Sequence, residues 1–354
     1  MITSRLLRVR ENMKEKGLDQ IIITQPQSIF YLTNQWVYPH DRLVALIITQ
    51  KECKMLCYVL AVIHPEGAQV EIYHDTGDTI RRLSNLLEKG KTGIDEWMAS
   101  KFLLPLQQAR TELSFFLSDC VEETRMIKET DEVEKLHHAG KITDAVFAQA
   151  FSQIHEGMTE LELGKIFSDT FEKQGVGRFH GDPMVSFGAS AAEPHHTPGK
   201  IKLKRGDAIC VDTGKRIEGY YSDMTRTIFF QTCSPKQQEV YEIVLQANLA
   251  AIAAVKPGVP LGEIDQVARE VITRSGYGAF FPHRTSHGIG IDYHEAPFDE
   301  KGKLLPVEEN MCFSIEPGIY LPGEFGVRIE DIICVTKDGC KLLSHAPKTL
   351  QVVQ

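Results

Sequence analysis

Long apolar runs are missing from this sequence. No stretch approaches the roughly 18 residues that a membrane-spanning helix needs. The first residues, Met1 to Glu11, alternate charged and apolar positions, unlike the apolar core of a signal peptide. These absences argue against membrane insertion and export, and we expect a cytoplasmic protein with no membrane partner.

Paired cysteines are also missing. The chain has eight cysteines in 354 residues, and none of them has CxxC spacing. Several lie inside apolar runs, where a reduced cysteine behaves as a small buried hydrophobic residue. The pattern therefore argues against a disulfide framework and against a zinc site made of thiolates.

An excess of basic residues is the third absence. Lysine and arginine total 39 against 48 aspartates and glutamates, which gives a net charge of −9. Nucleic-acid binding calls for basic patches, so no nucleic-acid partner is expected. A hydrophobic content of 42% and a charged content of 25% are typical of an ordinary globular protein. At this length the chain can form two domains.

Residues 1–122 are predicted to form a small α/β domain. Apolar periodicity and turn residues predict helices at 4–16, 79–88 and 99–109, and strands at 20–24, 29–33, 43–49, 54–59 and 112–117. A charged linker at 122–134 follows, with Thr130 as the expected N-cap of a long helix. Residues 123–354 are predicted to form the second domain.

The second domain contains an internal duplication. Gly157 and Gly175 recur as Gly258 and Gly276 at a constant offset of 101, with apolar pairs such as Leu163/Ile264 in register between them. Each unit follows a long predicted helix, at 130–154 and 235–255. Chance similarity between glycine-capped amphipathic helices is the alternative explanation.

Four carboxylates flank two predicted β-hairpins. Asp212 and Asp223 lie on either side of a turn predicted at residues 217 and 218, so that they face each other across neighbouring strands. Glu316 and Glu330 repeat this arrangement about Gly323. The sequence therefore predicts two hairpins that each present a pair of acidic side chains.

Carboxylates on apolar strands repel one another and are costly to desolvate unless cations neutralise them. Oxygen ligands with one imidazole, for which His287 is the candidate, suit divalent metals, and acidic clusters can hold two ions that activate a water and a reacting carbonyl. The alternative is a set of buried ion pairs with Arg226 and Arg328, but such pairs rarely add stability.

Five spaced segments carry a resemblance to a known family. They are Pro194-His195-His196, Asp212 with Gly219 to Thr227, His283 to Gly290 with His294-Glu295-Ala296-Pro297, Ile315-Glu316-Pro317-Gly318, and Val327 to Asp331. Together they resemble the pita-bread metallopeptidases, and within them the proline-directed branch of prolidases and aminopeptidase P. The resemblance implies an α/β (α+β) chain, with a small N-terminal α/β domain and a C-terminal pita-bread domain that has a pseudo-twofold duplication.

The resemblance also implies roles for individual residues. The metal ligands would be Asp212, Asp223, His287, Glu316 and Glu330. Of these, Asp223 and Glu330 would bridge two ions, and Glu316 would also accept a proton from the attacking water. His195 and His294 would be catalytic and would bind substrate, and Arg328 is a further candidate for substrate binding. His196 is not selected, because a structural role is the usual one for an isolated histidine.

Two local features of the sequence bear on this assignment. His287 and His294 are seven residues apart, which places them on opposite faces of a straight strand, so an irregular backbone near Gly288 and Gly290 is predicted. In some prolidases an arginine that holds the carboxylate of a dipeptide stands where this chain has Phe298. Longer peptides are therefore also possible substrates.

The expected activity is that of a dinuclear metal-dependent exopeptidase. It would hydrolyse the bond between an N-terminal residue and a following proline, with two divalent ions as cofactors, manganese before cobalt, zinc or iron. A homodimer is implied by the resemblance. Two alternatives stay open: a hydrolase of a non-peptide C–N or amide bond on the same fold, and a catalytically silent pita-bread binding protein.

Overall fold

The structure is a computed structural model that describes residues 1–177, 181–298 and 304–354, the side chain of Phe298 excepted. The chain divides into two compact units, Met1–Arg125 and Met126–Gln354. Both units combine helices with sheets, which confirms the predicted mixed α/β class. Among the described residues, no helix is long and apolar enough to cross a membrane.

The first unit contains a six-stranded sheet of order β4-β3-β2-β1-β5-β6. Its elements are α1 (Thr3–Glu15), β1 (Gln20–Ile23), α2 (Pro26–Thr33), β2 (Ala45–Thr49), β3 (Cys53–Tyr58), β4 (Ala68–Tyr73), α3 (Thr79–Leu86), β5 (Lys91–Ile94), α4 (Ser100–Ala109) and β6 (Ser114–Leu117), followed by α5 (Cys120–Met126). Strand β1 pairs antiparallel with β2 and parallel with β5, and all four of its residues are buried.

Three predictions for this part of the chain were wrong. Residues 29–33, predicted as a strand, lie in α2, because Pro26 opens a helix and Asn34 ends it at φ 55°. The charged segment predicted as a linker begins inside α5. Helix α6 (Thr130–Phe151) has Glu129 and not Thr130 as its N-cap, and the Glu132 carboxylate accepts the N–H of Glu129 at 2.9 Å.

In its described residues, the second unit contains four long helices and several small sheets. The helices are α6, α7 (Glu160–Lys173), α8 (Pro235–Ala254) and α9 (Leu261–Arg274). The strands are β7 (Met184–Phe187), β8 (Ala208–Thr213), β9 (Arg216–Ile217), β10 (Tyr220–Tyr221), β11 (Met224–Phe230), β12 (His287–Gly288), β13 (Glu295–Phe298), β14 (Cys312–Ile315), β15 (Gly318–Leu321), β16 (Phe325–Arg328), β17 (Asp331–Thr336), β18 (Gly339–Leu342) and β19 (Val352–Val353). The two larger sheets have orders β19-β11-β8-β7 and β13-β12-β14-β17-β18.

The predicted duplication is confirmed in three dimensions. Helices α7 and α9 are both 14 residues long and start 101 residues apart. The backbone N–H of Gly157 donates to Leu203, and that of Gly258 donates to Val307. Each half also has its own hydrophobic core, one around α6 and α7 and the other around α8 and α9.

The two hairpins differ in how well their register was predicted. Strands β15 and β16 pair symmetrically about Gly323, at φ 77°, as predicted. In the first hairpin β8 pairs with β11 so that Asp212 faces Thr225, two residues beyond Asp223. The predicted centre was therefore wrong by one position, because the turn lies at Glu218 and Gly219, both with positive φ.

Candidate metal centre

All eight residues predicted for the site line one cavity of about 270 Å³. The five ligand candidates lie on or next to different strands. Asp212 lies in β8, Asp223 just before β11, His287 in β12, Glu316 directly after β14, and Glu330 between β16 and β17. The strand pairs from both halves of the duplication therefore contribute ligand candidates to the same cavity.

His287 lies at the centre of the acidic cluster. Its Nε2 is 3.3 Å from Glu316 Oε1, 3.7 Å from Asp223 Oδ2 and 3.9 Å from Glu330 Oε1. Donor atoms of His287, Asp223 and Glu330 all lie within 4.8 Å of one another. A single cation placed among them could contact one imidazole and several carboxylates.

The second nitrogen of His287 is bonded to the backbone. Nδ1 lies 3.0 Å from the carbonyl oxygen of Gly288, so the Nδ1–H tautomer donates there. Burial lowers the pKa of His287 to about 3, which keeps the ring neutral. The lone pair of Nε2 therefore points at the carboxylates, the arrangement that a metal-binding histidine uses.

Hydroxyl groups orient two of the carboxylates. Thr225 Oγ1 donates to Glu330 Oε2 at 2.8 Å, and Ser314 Oγ donates to Glu316 Oε1 at 3.0 Å. The hydroxyl of Ser314 also accepts the backbone N–H of His287 at 3.0 Å. These contacts leave the other carboxylate oxygens available to a ligand in the cavity.

Asp212 pairs with an arginine. Its Oδ2 lies 2.6 Å from Nη2 of Arg328. Its Oδ1 is buried and has no hydrogen-bond partner among the described residues, and the same holds for Oδ1 of Asp223. Arg226 pairs with Asp331, which is not a ligand candidate. Neither Arg226 nor Arg328 forms an ion pair with Asp223, Glu316 or Glu330 among the described residues.

The cluster is strained electrostatically without a cation. Burial and the neighbouring carboxylates raise the pKa values of Asp223 and Glu330 well above their usual range. Burial raises the pKa of Glu316 to about 7. Two buried oxygen atoms without partners and three carboxylates that resist ionisation fit a site for divalent metal ions.

The two predicted substrate-facing histidines lie at the rim of the cavity. Both His195 and His294 are exposed, and the ring centroid of His294 is 4.0 Å from that of His287. The predicted irregular backbone is also confirmed, because the register of β12 against β13 shifts between His287 and Gly288. This shift lets His287 and His294 line the same cavity despite their spacing.

Sequence reasoning missed the residues that hold the ligands. No sequence pattern marks Thr225, Ser314 or Tyr320 as part of the site, since hydroxyl residues are common on strands. Tyr320 accepts from Nη1 of Arg328 at 2.9 Å and lies 2.8 Å from Nε2 of His283. The regular two-residue spacing of Ser314 and Glu316 on one face of a strand was the available signal.

Comparisons with known proteins agree with this geometry. Residues 134–337 match the model of metallopeptidase family M24, and residues 5–127 match that of the creatinase/prolidase N-terminal domain. An uncharacterized peptidase of Staphylococcus saprophyticus is 36% identical over 356 residues, covering 97% of this chain and 100% of the relative.

Two solved structures are similar over nearly the whole chain. A recombinant prolidase from Thermococcus sibiricus has a TM-score of 0.93 at 30% identity, covering 100% of this chain and 99% of that one. An Xaa-Pro dipeptidase from Bacillus anthracis has a TM-score of 0.91 at 30% identity, covering 99% of both chains. The chain therefore belongs to metallopeptidase family M24, with a creatinase/prolidase N-terminal domain preceding the metallopeptidase domain.

Proposed function

We propose that the protein is a dinuclear metal-dependent exopeptidase that hydrolyses the bond between an N-terminal residue and a following proline. The observation that supports it most is the convergence of four carboxylates and a neutral His287 in one cavity. The names of the similar solved structures, a prolidase and an Xaa-Pro dipeptidase, support the proline preference. An Xaa-Pro bond has no N–H, so a dedicated cavity is needed to hold it.

Two metal ions would share the five ligands. Asp223 and Glu330 would bridge the ions, Asp212 would bind one of them, and His287 with Glu316 would bind the other. When bound, such ions supply an activated water and polarise the substrate carbonyl. Oxygen ligands with one imidazole suit manganese, and they also accept cobalt, iron and zinc.

Glu316 is the best placed carboxylate for accepting a proton. The exposed fraction of its side chain is 17%, against 2% for Asp223 and for Glu330, so it is more accessible from the cavity. Its hydrogen bond from Ser314 fixes one oxygen and leaves the other towards the cavity. A positioned carboxylate of this kind acts as a general base and then returns the proton to the leaving amine.

His195 and His294 would hold the substrate from the rim and donate hydrogen bonds to the oxygen that becomes negatively charged. Arg328 would serve mainly to fix Asp212. Its guanidinium also donates to Tyr320, Thr225 and the carbonyl of Pro194, which leaves one N–H of Nη2 without a partner in the described part of the chain. That N–H is the group that Arg328 offers to a substrate.

We also propose that the enzyme is cytoplasmic and forms a homodimer. All eight cysteines are free, which is the state expected in the reducing cytoplasm. A homodimer follows from the resemblance to prolidases and aminopeptidase P. Light scattering of the purified protein tests the dimer, with a monomeric mass as the contrary result.

Hydrolysis assays test the activity. Purified protein is loaded with manganese, cobalt or zinc, and release of the N-terminal residue is measured from Gly-Pro and from Gly-Pro-Ala, with Gly-Ala as the control. We expect cleavage before proline only. Cleavage of the tripeptide alone would indicate an aminopeptidase, and cleavage of the dipeptide alone a dipeptidase. If the loaded protein hydrolyses neither, the peptidase proposal is wrong and the two alternatives named above replace it.

Metal content tests the number of ions. We expect about two manganese ions per chain in the native protein. Asp212→Asn should leave about one ion, because Asp212 binds a single ion, whereas Asp223→Asn should leave fewer than one, because it bridges both. Asp338→Asn, in the exposed turn between β17 and β18, is the control and should keep both ions. One ion in the native protein would refute the dinuclear site.

A further inference from the structure

Buried carboxylates also lie outside the candidate metal centre. Glu160, in the first turn of α7, is completely buried. It accepts hydrogen bonds from Ser190 Oγ at 2.5 Å, from the N–H of Phe187 at 3.0 Å and from the N–H of Gly199 at 2.8 Å, and its Oε2 is 2.9 Å from Nε2 of His196. Within the described residues, no lysine or arginine pairs with it.

His196 links this carboxylate to another. Its Nδ1 lies 3.1 Å from Glu193 Oε2, so both ring nitrogens contact carboxylates. Burial opposes the charged ring, but the hydrogen bonds to Glu160 and Glu193 raise the pKa of His196 above its usual value. The ring is therefore suited to donate from both nitrogens at once.

All of these contacts fix one segment of backbone. Residues 187–199 run from the end of β7 past the cavity, and Glu160 holds this segment near both ends. Inside it, His195 stands between two anchored neighbours. On one side the carbonyl of Pro194 accepts from Nη1 of Arg328 at 3.1 Å, and on the other side the ring of His196 is held by Glu160.

We propose that Glu160 and His196 are positioning residues that hold His195 in place at the rim of the cavity. The inference rests on the proposed function, in which His195 contacts the substrate. Neither Glu160 nor His196 lines the cavity, so both act through the backbone that carries His195. A displacement of about 1 Å at a reacting centre can cost about 100-fold in rate, which makes such an anchor consequential.

The second half of the duplication contains a comparable set of hydrogen bonds between a helix and a loop. Asp265 of α9 accepts the N–H and the hydroxyl of Thr285 at 2.9 and 2.7 Å, and Arg269 of α9 donates to the carbonyl of His283 at 2.9 Å. This pair anchors the segment that leads to His287. In both halves, charged side chains of the second helix thus fix the loop that brings a histidine to the cavity.

A double-mutant cycle tests the inference. The kcat and KM for Gly-Pro, or for Gly-Pro-Ala if the dipeptide is not cleaved, are measured for native protein, His195→Ala, His196→Ala and the double variant, with exposed His155→Ala as control. We expect His195→Ala to lower kcat about 100-fold and His196→Ala about tenfold, each with unchanged metal content. Because His196 acts through His195, the double variant should match His195→Ala within about twofold.

Two further measurements separate positioning from a general structural role. His196→Gln, whose amide can still donate to Glu160, should recover most of the kcat lost in His196→Ala. Hydrogen exchange of residues 187–199 should be faster in His196→Ala than in the native protein, with the rest of the chain unchanged. This measurement does not need activity, so it tests the anchor even if the native enzyme hydrolyses no Xaa-Pro peptide.

The contrary outcomes are distinct. Losses from His195→Ala and His196→Ala that multiply in the double variant would show that His196 acts independently of His195, which overturns the inference. Unchanged hydrogen exchange in residues 187–199 would overturn it as well. Native protein that cleaves neither peptide would refute the proposed function, and the hydrogen-exchange result would then decide the anchor alone.

Discussion

At the scale of single residues, Glu316 combines two properties that the other carboxylates of the cluster do not share. Its side chain is partly accessible from the cavity, and its pKa, raised by burial to about 7, lies near neutral pH. Asp223 and Glu330 are almost fully buried and lie among the other carboxylates. In the proposed function, Glu316 would therefore both bind metal and accept a proton, whereas Asp223 and Glu330 would only bind metal.

We therefore predict that Glu316→Ala abolishes measurable turnover, because it removes a metal ligand and the proposed base together. Loss of a general base alone costs about 100- to 10,000-fold, and loss of the ligand adds to it. Steady-state hydrolysis of an Xaa-Pro peptide at saturating manganese measures the effect. Glu324→Ala is the matched control, since Glu324 lies in the turn of the same hairpin and its ion pair with Lys236 is exposed.

If Glu316→Ala kept more than about one tenth of the native rate, the general base would have to be another group. A loss in Glu324→Ala of the same size would instead point to a disturbed hairpin. His196→Ala should lie between these two variants, because His196 touches neither metal ligands nor the cavity.

At the scale of elements, the bulge at the start of β12 brings His287 into the candidate metal centre. Gly288 is buried there, and a side chain at this position would overlap the backbone carbonyl groups of Glu295 and Ala296 in β13. A glycine at a bulge of this kind allows two backbones to approach closely. The bulge therefore depends on the absence of a side chain at position 288.

Gly288→Ala should lower the free energy of unfolding by about 1–3 kcal/mol, because the added methyl group forces the strands apart. It should also weaken metal binding, since it displaces His287. Denaturant unfolding and metal titration of the variant measure the two effects. Gly164→Ala in α7 is the control: its nearest neighbour would be 3.8 Å away, and alanine favours a helix interior. Equal stability of Gly288→Ala and native protein would contradict this account.

Elements also show how far the sequence could predict the fold. The second hairpin was predicted in its correct register because Gly323 marks its turn and the pairing stays symmetric from Gly318 to Arg328. The first hairpin was placed one position off, because its turn puts Glu218 at φ 51°, a conformation that glutamate seldom adopts. Helix α2 was mistaken for a strand, since its residues 29–32 are apolar and its helical signal rests on Pro26.

The eight candidate site residues converge on one cavity, although parts of the fold around them were predicted wrongly. Five ligand candidates, two histidines and Arg328 line one cavity. Each of them was identified from a spaced motif, so an error in the predicted strand register did not change which residue was chosen. The supporting contacts could not be predicted in this way. The pairing of Arg328 with Asp212 and that of Glu160 with His196 join residues 116 and 36 positions apart, and neither sequence pattern indicates its partner.

At the scale of the whole second unit, the duplication explains where the site lies. Asp212 and Glu316 are 104 residues apart, the same offset that relates Leu203 to Val307 in the equivalent backbone contacts of the two halves. Each half thus provides a carboxylate at the equivalent end of an equivalent strand. The proposed two-metal site would take carboxylate ligands from both halves, and His287 would be the ligand that has no counterpart in the other half.

Metal removal should destabilise the protein in a pH-dependent manner. The folded-state pKa values of Asp223, Glu316 and Glu330 are raised, to about 7 for Glu316, so the metal-free folded protein binds more protons than the unfolded chain. Its free energy of unfolding therefore falls as pH rises from the unfolded value of about 4.5 through 7. His287, with its pKa lowered to about 3, acts in the opposite direction, but only up to the unfolded value of about 6.5.

Above pH 6.5 His287 no longer opposes the carboxylates of the cluster, so the comparison is made between pH 6.5 and pH 8. Metal bound at the proposed site would neutralise the ionised carboxylates and would stabilise the folded state further by mass action. We predict that the difference in Tm between manganese-loaded and chelator-treated protein is larger at pH 8 than at pH 6.5. Scanning calorimetry measures it, and in chelator-treated protein Asp223→Asn should flatten the fall of Tm with pH by removing one of the three carboxylates. An equal difference in Tm at both pH values would show that the cluster does not need a cation to relieve its repulsion.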